Sequence, residues 1–276
     1  MSVPVLKAIH FYPVKSMAGC APGEAAVEPW GLAGDRRWLL ADADGRAVTQ
    51  RQQPRLTLVS ARPAPGGGLL LTAPGTEPLE VAVPSEREHG TCVVELFQDK
   101  VESVPAAASA HAWLSDFLGI PVRLMHMDRP ESRRAVDPKY AREGDTVSFA
   151  DAYPLLVTTT ASLDALNSLI AQGDHPGEGP LPMNRFRPNL VVDGTTAWAE
   201  DDWRRLRVGE VTFRVAKPCG RCVITTTDQT TAARGKEPLR TLARHRRREN
   251  GLIFGQHLIP EHTGVLRVGD RVEILG

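Results

Sequence analysis

The sequence predicts a β-rich α+β protein built as two units with a few peripheral helices, and three observations carry that prediction. The 276 residues divide, at roughly 150 residues per domain, into two units. The 24 glycines and 22 prolines interrupt the chain too often for a helix bundle or coiled coil. Between these breakers lie short runs rich in Val, Leu and Thr, spaced as in an antiparallel barrel or sandwich.

Taken in order, residues 3–14 form an apolar segment ended near Pro13. A hairpin follows from 36–42 and 46–51, joined by Asp44-Gly45, a dipeptide that suits tight turns. Strands at 56–62 and 69–73 flank a Pro-Gly-Gly-Gly turn, and others are expected at 78–83, 91–97 and 100–104. The first helix is AAASAHAWLSDFL, 106–118, before a strand at 121–126. Residues 128–147 are charged and unpatterned and read as a surface connection. The second half opens with a strand at 153–159 and a helix at 160–171, with Thr159 or Thr160 as N-cap. Strands are expected at 187–192, 211–217 and 222–227, a helix at 237–247 starting after Pro238, and strands at 253–259 and 265–274.

Lys+Arg and Asp+Glu balance at 33 each, so any anion site must be local and a nucleic-acid partner is not expected. No stretch approaches the 18 or so uninterrupted apolar residues of a membrane helix. Lys7 falls where a signal peptide needs its apolar run, so a cytoplasmic location is expected. Four cysteines make no disulfide framework: Cys20 and Cys92 stand alone, and Cys219 and Cys222 form one C-x-x-C.

That motif, KPCGRC at 217–222, admits half a zinc site, a redox dithiol or two packed cysteines. Lys217 and Arg221 beside it favour thiolate, a good ligand for a soft metal. Lys15 and Ser16 follow the first strand in PVKSM. In GDRRW, Arg36 and Arg37 send their side chains to opposite faces, so only one can enter a cleft. In MNRFRPN, Arg185 and Arg187 share a face if the segment is extended, and Asn189 adds an amide. Hydroxyls from Thr158 to Ser162 sit at a helix start, where free N–H groups can receive phosphate. Each has a bland alternative as a solvated cation, an edge residue or an N-cap. Together they suit an anionic, phosphate-bearing cofactor with a thiophilic metal. RHRRR, 244–248, reads as a solvated helix end or, with Arg240, as a docking face for an acidic partner.

The ordered segments IHFYPVKSM, GLAGDRRWLLAD, VTQRQQPRL, FADAYPLLVTTTASLDALN, FRPNLVVDG, WAEDDW, PCGRCVITTTD, KEPLRTL, FGQ and LRVGDRVEIL resemble those of MOSC-domain proteins. The similarity is to the YcbX-like branch that includes the mitochondrial amidoxime-reducing component, and it spans residues 3 to 276. It implies an N-terminal β-barrel module over 1–122 and a MOSC β-barrel domain over 123–276, with molybdenum cofactor (molybdopterin) in the cleft between them. Carried over, Cys222 is the molybdenum ligand and catalytic position. Lys15, Ser16, Arg36, Thr159, Ser162, Arg187, Asn189 and Arg221 hold the cofactor, and Cys219 takes no ligand role. The implied activity is reduction of N-hydroxylated compounds such as amidoximes, hydroxamic acids, hydroxylamines and N-hydroxylated bases. Bacterial relatives often append a ferredoxin-like 2Fe–2S domain, whereas this chain stops at VEILG and its cysteines do not fit a plant-type array. Electrons are therefore expected from a separate ferredoxin-type or flavin reductase. Mitochondrial relatives carry a membrane anchor that this chain lacks, so no membrane partner is expected. Glu200 and Asp228 lie near the motifs, but the proton source is not readable. The rival reading is a carrier that binds the cofactor, or its sulfurated form, and hands it on.

Overall fold

The first strand, Val5–Ile9, pairs not with its neighbours in sequence but with Leu190–Asp193, antiparallel, in the computed structural model, which describes residues 3–249 and 251–276. A bulge between Leu6 and Ala8 lets Leu6 and Ile9 both turn inward. From there the sheet continues through Leu155–Thr159, Gly251–Pro260, Val211–Gly220, Arg205–Val208 and Val272–Ile274. Its two ends meet where Val272 N donates to Pro4 O at 2.8 Å and Val5 bridges Arg271, which leaves a nearly closed barrel. Leu6, Ile9, Val157, Leu190, Phe213 and Leu258 fill it. Strand Glu24–Glu28, unanticipated from the sequence, pairs with Gly264–Arg267.

A smaller sheet runs Ala47–Val48, Trp38–Ala41, Arg123–His126, Asp99–Pro105, Cys92–Leu96. Hairpin strands Ser60–Pro63, Leu69–Thr72 and Leu79–Val81 and helix Ala108–Leu118 pack on it around Trp38, Leu40, Leu56, Leu71, Leu114 and Leu124. Strand pairing therefore does not divide at residue 122: strand Arg123–His126 belongs to the smaller sheet, while Val5–Ile9 belongs to the nearly closed barrel and Glu24–Glu28 pairs with Gly264–Arg267.

The helices stand where the periodicity puts them, at Ala108–Leu118, Thr160–Ala171 and Leu239–His245. Several expected strands are shorter or replaced. Residues 46–51 keep only Ala47–Val48, and residues 56–62 begin as a 3-10 turn, Pro54–Leu58, opened by proline. Residues 265–274 split into two strands. Residues 222–227 are not a strand: Val223–Thr226 is a 3-10 turn in which Thr225 and Thr226 hydroxyls bond back to Cys222 O and Val223 O at 2.8 Å each. The 187–192 strand starts only at Leu190, after a 3-10 turn Met183–Phe186 and a left-handed Arg187. The segment is thus not extended, and Arg185 and Arg187 part company. Residues 128–147 are more than a surface connection, because Arg134, Val136 and Val147 are buried. The Arg240–Arg248 run is paired only in part, with Arg240 and Arg244 sharing Asp174 and Arg246 and Arg248 sharing Asp201, so it keeps a positive surplus.

Gly255 marks the tightest point of the long Gly251–Pro260 strand. Its φ is 81°, and a Cβ there would lie 2.6 Å from the Val157 carbonyl oxygen. Gly255→Ala is expected to cost about 2–4 kcal/mol in urea unfolding, through left-handed strain plus a backbone clash; wild-type stability would show that the strand accommodates a side chain.

Candidate active site

The cleft between the barrels starts from a buried carboxylate. Asp35 accepts Tyr12 N at 2.7 Å and Asn189 Nδ2 at 3.1 Å, and pairs with Arg36 Nη1. Lys15 N bonds Trp38 O, Trp38 N bonds Pro13 O and Arg36 N bonds Tyr12 O, so the GDRRW turn is zipped to the PVKS loop. Arg36 Nη1 also reaches Asn189 Oδ1 at 3.0 Å, and its Nη2 donates to Arg187 O at 3.1 Å. Both guanidiniums lie over the Tyr12 ring, 4.3 and 4.2 Å from its centroid. Burial pushes the Tyr12 phenol up to about 12, against the pull of Arg187 and Arg36. Ser16, Arg36 and Arg187 all hold left-handed backbones, with φ of 67°, 48° and 51°. Such backbones are uncommon outside glycine, and three of them lining one cleft mark it as functional.

Arg187 Nη1 is fixed on Met17 O at 2.7 Å, while its Nη2 has no partner among the described residues. Arg221 Nη2 donates to Phe186 O at 2.6 Å and Nη1 points at Cys219 Sγ, 2.8 Å away; its Nε is likewise unpartnered. Burial pushes the Cys219 thiol up, but Arg221 and His257 more than reverse this and bring it to about 7. Cys219 is only 6% exposed. Cys222, half-buried, lies two residues beyond strand Val211–Gly220, at the start of the Val223–Thr226 turn, and meets Arg51 Nη2 at 3.4 Å.

Lys15 Nζ donates to Phe149 O at 2.9 Å and to Asp151 Oδ1. Burial drives its ammonium down to about 8, against the Asp151 carboxylate, with Arg134 and Arg36 lowering it further. Burial pushes the Asp151 carboxyl up, and Lys15, Arg51 and Arg36 overrule it, leaving it well below the carboxylate range. Arg134 clamps the loop behind this pair, donating to Ser148 O, Ala150 O and Asp151 O, and to Asp99 across the barrels.

Seven of the residues singled out from the sequence therefore line one cleft: Lys15, Ser16, Arg36, Arg187, Asn189, Arg221 and Cys222. Two do not. Thr159 and Ser162 are wholly buried in the N-cap of helix Thr160–Ala171, where Ser162 N bonds Thr159 Oγ1 at 3.1 Å and both hydroxyls reach Glu200 Oε2. Their bonding capacity is spent on the cap, so this helix start presents nothing to a phosphate. Burial raises the Glu200 carboxyl within that knot, away from the cleft, and Asp228 caps its own turn and pairs with Arg185. Asn189 lines the cleft, but its amide is committed to Asp35, His10 O, Leu156 N and Arg36. Sequence reasoning missed Asp151, Arg134 and His257 and undervalued Cys219, whose only signal was its spacing from Arg221.

A model of the MOSC N-terminal beta barrel domain matches residues 3–121, and a model of the MOSC domain matches residues 144–273. The chain is 32% identical to mitochondrial amidoxime-reducing component 1 of Xenopus laevis, over 98% of this chain and 82% of that protein. This chain belongs to the MOSC-domain family. The human amidoxime-reducing component 1 is also 32% identical, over 97% of this chain and 82% of its own. The molybdenum cofactor sulfurase of Danio rerio is 32% identical over 96% of this chain, which spans only 33% of that longer protein.

The MOSC cleft should bind anions with a distinct pH profile. Protonated Lys15 attracts an anion, so its contribution is present below about pH 8 and is lost as pH rises through that value. Affinity for sulfate, whose charge is constant over this range, should fall about tenfold between pH 7 and 9.5 by calorimetry, the worth of one charge-assisted bond. Lys15→Met should bind weakly at pH 7 and flatten the profile; a flat wild-type profile would contradict the assignment.

Proposed function

We propose that this MOSC protein is a molybdenum-cofactor-dependent reductase of N-hydroxylated compounds, working with a separate electron-transfer protein. The MOSC domain and both sets of relatives are molybdenum-cofactor related. The observation that carries the reading is the donor set. A half-buried, lightly engaged thiol, Cys222, faces a cleft walled by Lys15, Arg36, Arg187 and Arg221, two of which hold unpartnered nitrogens. A soft sulfur donor beside hard cationic donors fits an anionic ligand carrying a thiophilic metal.

In this reading Cys222 Sγ ligates the metal, and Cys219 stays bound to Arg221. Arg187, Arg221, Lys15 and Ser16 grip the pterin phosphate. Arg36 and Asn189 act one step back, fixing Arg187 through its carbonyl and the Asp35 knot. Thr159 and Ser162 serve the fold alone. When bound, the cofactor supplies oxygen-atom transfer and two-electron capacity. The overall change takes an N–OH to an N–H and water, consuming two electrons and two protons. Cys219 Sγ and Lys15 Nζ, which titrate within about a unit of neutrality, are the cleft groups best placed to hold a proton. In this reading the electrons come from a separate ferredoxin-type or flavin reductase.

Protein made in a host that synthesises the cofactor should retain molybdenum and pterin through gel filtration. It should reduce an amidoxime with reduced viologen, and fail with NAD(P)H alone until a reductase partner is added. Cofactor that is released on gel filtration, without turnover, would instead mark a carrier, a role the sulfurase relative keeps in view. Cys222→Ser should keep its melting temperature within about 2 °C, as a polar swap at a partly exposed position does, and lose molybdenum. Cys219→Ser should keep most of it. Equal loss from both would mean that the ligand is misassigned.

A further inference from the structure

Beyond the cations the cleft opens into a second lobe. It shares Asp151, Cys219 and His257 with the first, and Phe97, Arg51 and Lys217 wall its outer side. Phe97 is at odds with local preference. It occupies the first position of the two-residue turn joining Cys92–Leu96 to Asp99–Pro105, at φ 58°, and is 54% exposed. Glycine or asparagine suits a positive φ in such turns, because a Cβ crowds the backbone there. An aromatic ring at this point is strained and obtains little burial in return. Two cations hold it: Lys15 Nζ lies 5.5 Å and the Arg51 guanidinium 5.2 Å from the ring centroid. Arg51 in turn touches Cys222 Sγ, so one guanidinium links the ring to the thiol.

We infer that Phe97 is a specificity-determining residue: its ring forms the outer wall against which the organic body of the substrate rests, favouring N-hydroxylated compounds with a flat apolar body over small aliphatic ones. The inference rests on the reductase reading for the chemistry but on the lobe alone for binding. Strain at an exposed position persists where the surroundings over-determine it, and here the surroundings are two cations, Lys15 of the cleft and Arg51 of the lobe.

The test compares wild type, Phe97→Gly and Val93→Ala, an exposed residue on the same hairpin outside the lobe. Phe97→Gly should raise the melting temperature, since glycine relieves the left-handed strain. The ratio of kcat/KM for benzamidoxime over acetamidoxime, with reduced viologen as donor, should fall about tenfold, mainly through KM. Calorimetric affinity for benzamidine, which cannot be reduced, should fall by a similar factor. Val93→Ala should change neither ratio nor affinity. An unchanged ratio and unchanged benzamidine affinity in Phe97→Gly would overturn the inference. Should the wild type reduce no N-hydroxylated compound, the reductase reading fails, and benzamidine binding alone decides whether Phe97 walls a ligand lobe; no binding by wild type overturns that too.

Discussion

The buried Asp35–Arg36 pair is the constraint on which the cleft depends. Taking two charges out of water is costly, and their attraction compensates only when the remaining lone pairs and protons are satisfied. Here Tyr12 N and Asn189 Nδ2 satisfy Asp35, and Asn189 Oδ1 and Arg187 O satisfy Arg36. The pair sits in the turn before Trp38, and its partners come from two other stretches, the segment after the first strand and the approach to Leu190. The pair thereby fixes where three loops meet. Arg36 holds the Arg187 backbone through its carbonyl, while one Arg187 guanidinium nitrogen has no partner among the described residues.

Charge is graded outward from that knot. Arg36 is consumed by the protein, Arg187 and Arg221 are half-consumed, and Lys15 is balanced by an aspartate that reaches solvent. Cations held by carbonyls rather than carboxylates, as Arg187 and Arg221 are, keep their full charge available to a ligand. A chain with no net charge can in this way present a strongly cationic cleft.

Much of this was legible in the sequence. Helix starts were readable because Thr159 or Thr160 and Pro238 carry local capping chemistry, and the PVKS, DRRW, FRPN and C-x-x-C segments stood out as charge-dense islands among apolar strands. What was not legible depends on distance or on backbone shape. Glu24–Glu28 lacks strand-like residues and exists because Gly264–Arg267 pairs with it. The segment after Cys222 looked extended, but two threonine hydroxyls bending back to carbonyls turn it into a 3-10 turn. Thr159 and Ser162 looked like phosphate donors because a free helix start and a capped one share the same residues; only Glu200, brought from a distant turn, tells them apart. Arg134 lay in a segment without periodicity, and its importance comes from three carbonyls that no pattern reports.

The pairing of strands Val5–Ile9 and Glu24–Glu28 with distant partners bears on how the molecule folds. Val5 pairs with Asp193 and Glu24 with Arg267, so contacts that complete these sheets span most of the described chain. Such long-range pairings make folding slow, since loop closure must be endured before the contacts reward it. The cleft has walls that include residues from Lys15 to His257, so it takes shape only once these distant segments have come together. A ligand therefore meets a finished pocket, and no short fragment of the chain can offer one.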